Sequence, residues 1–183
     1  MTEPDTCGAD ALGSDWTERV RTSPRPHVLL LCGLTGSGKT QLAHALEREL
    51  PALRFTMDDW MIALFGEHME RDTHDRRFAQ LTAIAWDTAE RALALGVHVI
   101  LDYGFWRRAE RLETARRVRD AGAQPLLVYL DVPRVDLERW LAARNAVHPA
   151  GSYLITPEML ELFTTWFEPP DEGEGIELVR LGP

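Results

Sequence analysis

The stretch Gly33-Leu34-Thr35-Gly36-Ser37-Gly38-Lys39-Thr40 decides the fold of the chain, because it fits the pattern G-x-x-x-x-G-K-[ST]. The residues before it, 27–32 (HVLLLC), are apolar and form a run short enough for a buried parallel strand. The residues after it, 41–50, have helical spacing, with apolar side chains at Leu42, Ala43, Leu46 and Leu50. A strand, a glycine-rich loop and a helix in this order predict a loop that binds phosphate groups.

The residue types of this loop explain why it would bind phosphate. Its glycines allow a tight turn that points several backbone N–H groups inward, and the following helix adds its unpaired N–H groups and its positive dipole end. We expect Lys39 to reach the β- and γ-phosphates of a nucleotide and the Thr40 hydroxyl to ligate Mg²⁺. ATP and Mg²⁺ are therefore the predicted ligands, although no motif distinguishes ATP from GTP. The predicted nucleotide-binding residues are Gly33, Thr35, Gly36, Ser37, Gly38, Lys39 and Thr40.

Composition limits the class of protein. With 183 residues, of which 45% are hydrophobic, the chain is large enough for one domain with a sizeable core. It has no apolar run of the roughly 20 residues that a membrane helix needs, and its acidic N-terminus does not resemble a signal peptide. A net charge of −9 argues against broad, non-specific binding to nucleic acid. Cys7 and Cys32 form no CxxC pair and predict no disulfide, so we expect a cytoplasmic protein without a membrane partner.

The order of the predicted elements indicates the fold class. Residues 1–25 are rich in Thr, Asp, Gly, Pro and Ser and predict a flexible tail, with room for one helical turn from Trp16 to Val20. Residues 26–183 alternate strands and helices, which predicts an α/β domain with a five-stranded parallel sheet and helices on both faces. Strands are predicted at 27–32, 53–57, 97–101, 124–130 and 176–181, and helices at 41–50, 60–65, 76–95, 107–121, 134–144 and 156–167.

Two segments allow alternative interpretations. The polar segment 66–75 contains His68 and His74, which could ligate a metal ion, but without tight ligand spacing it is more typical of a solvated loop over an active site. The predicted helix 107–121 carries six arginines, which could form a nucleic-acid face. Because Glu110 and Glu113 lie among them, a solvated helix with Arg/Glu pairs is favoured.

Two carboxylates follow predicted strands. Asp58 comes after the second strand and Asp102 after the third. Because ligands bind beyond the carboxyl ends of parallel strands, both side chains should face the same crevice as the nucleotide phosphates. There a carboxylate can accept a proton from an attacking hydroxyl or hold Mg²⁺ through water. Capping of a helix is the alternative role, and Asp59 is better placed than Asp58 to fill it.

Several short motifs together resemble a known group of enzymes. They are the loop 33–40, Met57-Asp58-Asp59-Trp60, Leu101-Asp102, Asp131-Val132-Pro133, and Arg139 with Arg144-Asn145. The set resembles P-loop kinases of the polynucleotide 5′-hydroxyl kinase type, and chloramphenicol phosphotransferase and zeta-toxin kinases look similar in architecture. The resemblance runs from about residue 27 to residue 167. It implies a P-loop NTPase fold with a small lid at approximately residues 139–156.

The resemblance also implies catalytic roles. Asp58 matches the base that deprotonates the acceptor hydroxyl, while Lys39 and Thr40 match the ligands of phosphate and Mg²⁺. Arg144 and Arg139 match lid arginines that neutralise charge on the transferring phosphoryl group. Such arginines suit a loose transition state with charge on its equatorial oxygens. Asp102 is predicted to hold Mg²⁺ through water.

The acceptor side departs from the polynucleotide kinase pattern. Where those kinases have a basic residue shortly after the Asp-Asp pair, this chain has Trp60-Met61-Ile62-Ala63. Trp60, Tyr103 and Phe105 are the predicted substrate-binding residues, because aromatic side chains in loops could stack on a base or cover a drug-like ring. With the acidic net charge, this favours an ATP-dependent kinase that phosphorylates a hydroxyl of a small molecule such as an antibiotic, sugar or nucleoside. A polynucleotide 5′-hydroxyl kinase and a non-catalytic ATP-binding regulatory module are the alternatives.

Overall fold

Five parallel strands form one sheet in the computed structural model, which describes residues 14–147 and 153–182. The strand order is β2-β3-β1-β4-β5, so β1 lies at the centre. The prediction of a five-stranded parallel α/β sheet is confirmed. The strands are β1 (His27–Cys32), β2 (Ala52–Thr56), β3 (His98–Gly104), β4 (Gln124–Leu130) and β5 (Glu177–Leu181).

Helices pack on both faces of this sheet. They are α1 (Asp15–Thr22), α2 (Lys39–Glu49), α3 (Met57–Phe65), α4 (Arg71–Ala94), α5 (Arg108–Asp120), α6 (Arg134–Val147) and α7 (Pro157–Trp166), with a 3₁₀ turn at Glu172–Glu174. All six residues of β1 are buried, as expected for an apolar central strand. Val28 and Leu30 contribute to the core under α4 and α5, whereas Leu29 and Leu31 contribute to the core under α1 and α2. Alternate β1 side chains thus fill opposite faces of the sheet.

Two helices begin three or more residues earlier than the sequence predicts. The helix predicted at 60–65 starts at Met57, so Asp58 and Asp59 lie in its first turn and neither is its N-cap. The helix predicted at 76–95 starts at Arg71, within the segment interpreted as a loop. An ion pair between Arg71 and Asp75, four residues apart, supports that extra turn. Asp102 lies inside β3, because this strand continues to Gly104. The sequence predicted that Asp102 would follow the end of the strand.

The N-terminal segment requires a correction. Residues 15–22 lie within the predicted flexible tail, yet they form the two-turn helix α1. Its Trp16 and Val20 are buried in the same core cluster as residues of α2 and β4. Arg19 also forms an ion pair with Glu177 of β5, with 2.8 Å between Nη2 and Oε1. Burial of these two side chains therefore packs the helix against the rest of the domain. Residues 1–13 of the predicted tail and 148–152 of the predicted lid lie outside the described residues.

None of the helices in the described ranges is both long and apolar enough to cross a membrane.

Candidate active site

The glycine-rich loop lies between β1 and α2, at the carboxyl end of the central strand. Gly36 and Gly38 adopt φ angles of 87° and 90°, a backbone region that favours glycine. A Cβ atom on Gly36 would also lie only 2.7 Å from Cγ of Leu141. Gly38 is the N-cap of α2, and the Leu42 N–H donates to its carbonyl oxygen at 3.0 Å. These angles produce the tight turn that aims backbone N–H groups at a phosphate.

Lys39 folds back over this loop. Its Nζ donates hydrogen bonds to the carbonyl oxygens of Gly33 and Leu34, at 3.0 and 2.8 Å, and a longer one of 3.4 Å to Oγ of Ser37. Burial lowers the pKa of the Lys39 ammonium, while the nearby carboxylate of Asp102 opposes that shift. The ammonium therefore lies where the loop would hold phosphate groups.

The side chains of Thr40 and Asp102 are in contact next to the loop. Oγ1 of Thr40 donates to Oδ2 of Asp102 at 2.7 Å, and Oγ1 of Thr56 donates to the same oxygen at 3.3 Å. Thr56 reaches it because it lies beside Asp102 in the register of β2 and β3. Burial raises the pKa of Asp102, and the Thr40 hydrogen bond and the Lys39 charge counteract the rise. A hydroxyl next to a carboxylate could hold Mg²⁺, the hydroxyl directly and the carboxylate through water.

Asp58 is the solvent-accessible carboxylate of the site. It lies on the first turn of α3 and is exposed, whereas Asp102 is 7% exposed. Protein atoms around the cleft nevertheless desolvate it and raise its pKa, and the negative charge of Asp102 adds to the shift. The charges of Lys39 and His74 act in the opposite direction. An accessible carboxylate with a raised pKa, close to the lysine of the phosphate loop, is suited to accept a proton.

The two predicted lid arginines lie in different environments. Arg144, at the end of α6, donates from Nη2 to the carbonyl oxygen of Tyr153 at 3.2 Å. Burial lowers its pKa, and the charge of Asp58 opposes that shift. Arg139 is 71% exposed and pairs with Asp136 of its own helix at 2.8 Å. The structure thus brings Arg144 near Asp58, whereas Arg139 faces solvent, so its assignment to the site is corrected.

Residues 153–155, which belong to the predicted lid, are anchored where α6 ends. The Asn145 side chain donates from Nδ2 to the carbonyl oxygen of Ile155 at 2.6 Å and accepts from the Ile155 N–H at 3.4 Å. Ile155 is buried with Leu137 and Leu141 of α6. Together with the Arg144 hydrogen bond, these contacts fix residues 153–155 against the end of α6. They bring the ring of Tyr153 edge-on against His74 of α4, with centroids 6.5 Å apart.

The three predicted aromatic substrate contacts differ in their surroundings. Trp60 is half-buried and packs edge-on against Phe55, with centroids 5.7 Å apart. Tyr103 is half-buried and stacks on Phe105 at 5.6 Å. Phe105 is 5% exposed and belongs to the core, so it has no exposed face for a substrate and its assignment is corrected. It also adopts a φ angle of 46°, which is rare for an aromatic residue.

Sequence reasoning missed the role of Trp106. Its Nε1 donates to the carbonyl oxygen of Gly33 at 2.9 Å, so the indole braces the start of the phosphate loop. Its ring packs on Phe163 of α7, with centroids 5.0 Å apart. Its own carbonyl oxygen accepts from the Glu168 N–H at 2.9 Å. The one sequence feature that could have indicated this role is the position of Trp106, two residues after Gly104 at the end of β3.

A buried ion pair fixes the loop that carries Trp106. Arg111 of α5 donates from Nε to Oε2 of Glu174 at 2.8 Å and from Nη2 to the other carboxylate oxygen. Its Nη1 donates to the carbonyl oxygens of Phe105 and Glu168, at 3.0 and 2.9 Å. The arginine predicted to lie on a solvated helix face is therefore a core residue. The Glu174 carboxylate neutralises the charge of Arg111, and the carboxylate and two carbonyl oxygens accept its hydrogen bonds, as burial of a guanidinium requires.

The metal site considered at His68 and His74 finds no support in the described residues. No group of three or more His, Cys, Asp or Glu side chains is arranged to hold a metal ion within residues 14–147 and 153–182. Nδ1 of His74 lies 3.2 Å from Oδ1 of Asp75, and its ring stacks on Phe78. These contacts hold the His74 ring against other side chains of α4.

Comparisons with solved structures identify related folds. A protein of Chloroflexus aurantiacus J-10-fl described as a candidate kinase is 21% identical, with 85% of this chain and 84% of that chain covered and a TM-score of 0.65. Pnkp1 of the Pnkp1/Rnl/Hen1 RNA repair complex is 21% identical over 79% of this chain, with a TM-score of 0.58, but only 45% of that chain is covered. The APS kinase CysC of Mycobacterium tuberculosis, solved with AMPPNP and APS, is 20% identical, with 88% and 90% covered and a TM-score of 0.50.

A model of a protein family also matches most of the chain. No curated protein matches the chain. The model of the AAA domain family AAA_33 matches residues 28–170, from the central strand to just beyond α7. That range contains the phosphate loop, Asp58, Asp102 and Arg144. The chain therefore belongs to this AAA domain family and has the nucleotide-binding fold of the P-loop kinases.

Proposed function

We propose that the chain is an ATP-dependent kinase that transfers the γ-phosphoryl group to a hydroxyl of a small molecule, such as an antibiotic, a sugar or a nucleoside. One observation carries the proposal: Asp58 is an accessible carboxylate in the same cleft as Lys39 and the Thr40–Asp102 pair. We assign the activity to the domain of residues 26–183, with a lid at approximately 139–156, and to the cytoplasm.

The phosphate loop would hold the nucleotide. Its backbone N–H groups and the N-terminus of α2 would surround the phosphates. Lys39 would exchange its carbonyl partners in the loop for the β- and γ-phosphate oxygens. Thr40 would ligate Mg²⁺ directly and Asp102 would orient its water ligands, which fits the 2.7 Å contact between the two side chains. Bound Mg²⁺ would neutralise negative charge between the β- and γ-phosphates.

Asp58 and Arg144 would complete the transfer. Asp58 would accept the proton of the acceptor hydroxyl, for which its raised pKa is suitable. Arg144 would neutralise charge on the phosphoryl group, since its guanidinium is held by Tyr153 within the range of the Asp58 charge. Positioning and electrostatic stabilisation are the main contributions that a protein makes to phosphoryl transfer.

Three of the four arginines that lie near Asp58 in sequence, all but the exposed Arg76, contact other side chains, which favours a small acceptor over a polynucleotide. A nucleic-acid channel needs cationic side chains that are available to phosphates. Arg54 is paired with Glu47 and Asp59, at 3.0 and 3.5 Å. Arg71 is paired with Asp75, and its guanidinium also lies 5.3 Å from the centre of the Trp166 ring. The guanidinium of Arg77 lies 4.2 Å from the centre of the Phe65 ring.

Two other functions are the alternatives. The similarity to Pnkp1 concerns the fold and leaves a polynucleotide 5′-hydroxyl acceptor as the second candidate. A regulatory module that binds ATP without an acceptor is the third. It predicts tight nucleotide binding without transfer to any hydroxyl.

Transfer of radiolabelled γ-phosphate from ATP into a panel of acceptors tests the proposal. The panel contains nucleosides, sugars, hydroxylated antibiotics and 5′-hydroxyl oligonucleotides. Asp58→Asn should retain nucleotide binding but reduce kcat by roughly 100-fold or more, because it removes the general base. Asp59→Asn is the matched control and should stay within a few-fold of wild type, since that carboxylate pairs with Arg54. An Asp58→Asn enzyme as active as the control would remove Asp58 from the mechanism, and label on oligonucleotides alone would favour the second candidate.

A further inference from the structure

A chain of hydrogen bonds leads from the edge strand β2 to Asp102. Arg54 and Thr56 are two residues apart on β2, so both side chains point to the same face of the sheet, the one covered by α2. Nη1 of Arg54 donates to Oγ1 of Thr56, and that hydroxyl donates to Oδ2 of Asp102 at 3.3 Å. Oγ1 of Thr40, on α2, donates to the same Asp102 oxygen at 2.7 Å. This hydroxyl relay, formed by Arg54, Thr56 and Asp102, therefore ends at the carboxylate that the proposed function assigns to Mg²⁺.

The direction of the Thr56 hydroxyl is set by its partners. Because a guanidinium has donors only, Oγ1 of Thr56 accepts from Arg54, and the single hydrogen of Thr56 is left to donate to Asp102. Nε of Arg54 in turn donates to Oε2 of Glu47, on α2, at 3.0 Å. Its Nη1 also lies 3.5 Å from Oδ2 of Asp59. With the guanidinium held in this way, Thr56 meets Asp102 as a donor of fixed orientation.

Packing alone does not explain a threonine at position 56. Thr56 and Asp102 are 3% and 7% exposed, and the register of β2 and β3 makes them direct neighbours. A valine would fill the same volume and is equally suited to a strand, so the packing of β2 does not require the hydroxyl. What the hydroxyl adds is a hydrogen bond to a buried carboxylate, an interaction stronger than one between neutral groups.

Both hydroxyl donors reach one oxygen of Asp102. Thr40 and Thr56 donate to Oδ2, and two donors on one oxygen restrain the rotation of the carboxylate. In the Mg²⁺ complex, Oδ1 would then be the oxygen that accepts from a water ligand. Without the Thr56 hydroxyl, one hydrogen bond instead of two would oppose this rotation. Groups that orient a metal-binding side chain in this way raise the affinity for the metal ion.

We propose that Thr56 is a positioning residue for Mg²⁺ in the nucleotide complex, because its hydroxyl, oriented by Arg54, fixes the carboxylate of Asp102. The inference rests on the Mg²⁺-dependent nucleotide binding of the proposed function. It adds two residues of β2 that lie outside the phosphate-loop motif. Both act through Asp102 and not on the reacting atoms.

Binding of the non-hydrolysable ATP analogue AMPPNP tests the relay without requiring turnover. Isothermal titration calorimetry would give its Kd with EDTA and with saturating Mg²⁺, and the first Kd divided by the second is the Mg²⁺ enhancement. In the wild type, Mg²⁺ should tighten binding. Thr56→Val should lower the enhancement about threefold to tenfold, which is less than the roughly 10–100-fold effect of partners of direct ligands, because Asp102 acts through water. With EDTA, the Kd of this variant should stay within about twofold of wild type, because the phosphate loop is intact.

Matched variants separate the hydroxyl from the fold. Thr56→Ser keeps the hydroxyl and should retain the wild-type Mg²⁺ enhancement. Thr17→Val removes another buried threonine hydroxyl, which donates to the Ser14 carbonyl oxygen at 2.8 Å, and should leave the enhancement unchanged. Arg54→Met should lower it, but by less than Thr56→Val, because the hydroxyl remains and only its orientation is lost. In the double variant Arg54→Met with Thr56→Val, the loss should equal that of Thr56→Val alone, since Arg54 acts through Thr56.

A Mg²⁺ enhancement that falls in Thr56→Val and is retained in Thr56→Ser and Thr17→Val supports the inference. An unchanged enhancement in Thr56→Val, an equal loss in Thr56→Ser or Thr17→Val, or a wild type that Mg²⁺ does not affect would overturn it. If Thr56→Val does not fold, an unchanged enhancement in Arg54→Met overturns it instead.

The same measurements separate the relay from the kinase activity. If the enhancement falls as expected but no acceptor in the panel is phosphorylated, the kinase is refuted and the relay stands. Phosphoryl transfer that is lost in Asp58→Asn, together with an unchanged enhancement in Thr56→Val, would refute the relay and leave the kinase. Losses that add in the double variant would refute the orientation of Thr56 by Arg54.

Discussion

Glu174→Gln should destabilise the protein far more than an equivalent change on the surface. The side chains of Arg111 and Glu174 are 0% and 1% exposed, and both carboxylate oxygens accept from the guanidinium. The substitution keeps the shape of the side chain but leaves the Arg111 charge without a counter-ion. Breaking a buried ion pair in this way typically costs about 3–5 kcal/mol. Two carbonyl oxygens still accept from Arg111, at 3.0 and 2.9 Å, so we expect a loss near the lower end, ~3 kcal/mol.

Urea denaturation followed by tryptophan fluorescence measures this loss as a change in the free energy of unfolding. For a domain of this size, ~3 kcal/mol corresponds to a Tm lower by roughly 6–12 °C. The control is Glu90→Gln, which breaks an Arg–Glu pair with Arg117 in which both side chains are 43% exposed. That change should cost less than about 1 kcal/mol. Similar losses in the two variants, or a loss below about 1 kcal/mol in Glu174→Gln, would refute the claim that burial makes the pair critical.

A double replacement tests the reason for the loss. In Arg111→Met with Glu174→Leu, no buried charge remains, so the unfolding free energy should recover much of what Glu174→Gln loses. A double variant less stable than Glu174→Gln would instead assign the stabilisation to the four hydrogen bonds of Arg111.

Three further predictions concern the site and the response to pH. Trp106→Phe removes the indole hydrogen bond to the phosphate loop. Because one hydrogen bond is lost, ADP binding should weaken by roughly threefold to tenfold in a fluorescent-nucleotide titration. An unchanged ADP affinity would show that this hydrogen bond does not affect the loop. Arg144→Ala should reduce kcat at least tenfold, whereas Arg139→Ala should leave kcat nearly unchanged, and equal effects in the kinase assay would contradict the assignment to Arg144. His98 accepts the His27 N–H on Nδ1 at 2.9 Å, and burial lowers the pKa of both imidazoles. The unfolded chain therefore binds more protons, so stability is complete above about pH 6.5 and falls as the pH drops below it; a urea midpoint independent of pH between 7 and 5.5 would exclude this linkage.

The parts of the fold that depend on local pattern followed from the sequence. The bounds of β1 and β4 agree with the prediction, because continuous apolar runs between turn residues have few other solutions. Asp58 proved harder to place, since an Asp-Asp pair suits both a strand end and the first turn of a helix. α1 was underestimated because its composition is polar, whereas its stability comes from burial of Trp16 and Val20.

The surroundings of the candidate site residues follow from the sequence most directly where a local motif fixes them. Lys39 and Thr40 follow from the motif, and their contacts lie within the loop or on the adjacent strand. Trp106 reaches the loop because Phe105 adopts a φ angle of 46° and Arg111 holds its carbonyl oxygen. No periodicity encodes such a backbone turn. The pairing of Tyr153 with His74 likewise joins residues far apart in sequence, which only the tertiary fold brings together.

The packing of α1 determines where the protein can be truncated for expression. A shortened chain that began at the first strand would retain every motif of the site, yet it would uncover the apolar surface beneath Trp16 and Val20. Burying two such side chains contributes roughly 3–6 kcal/mol, which is a large part of the free energy of unfolding of a typical domain. It would also remove the link from Arg19 to the edge strand β5. A truncation designed from motif boundaries would therefore aggregate or melt early, and its inactivity would be mistaken for a catalytic defect.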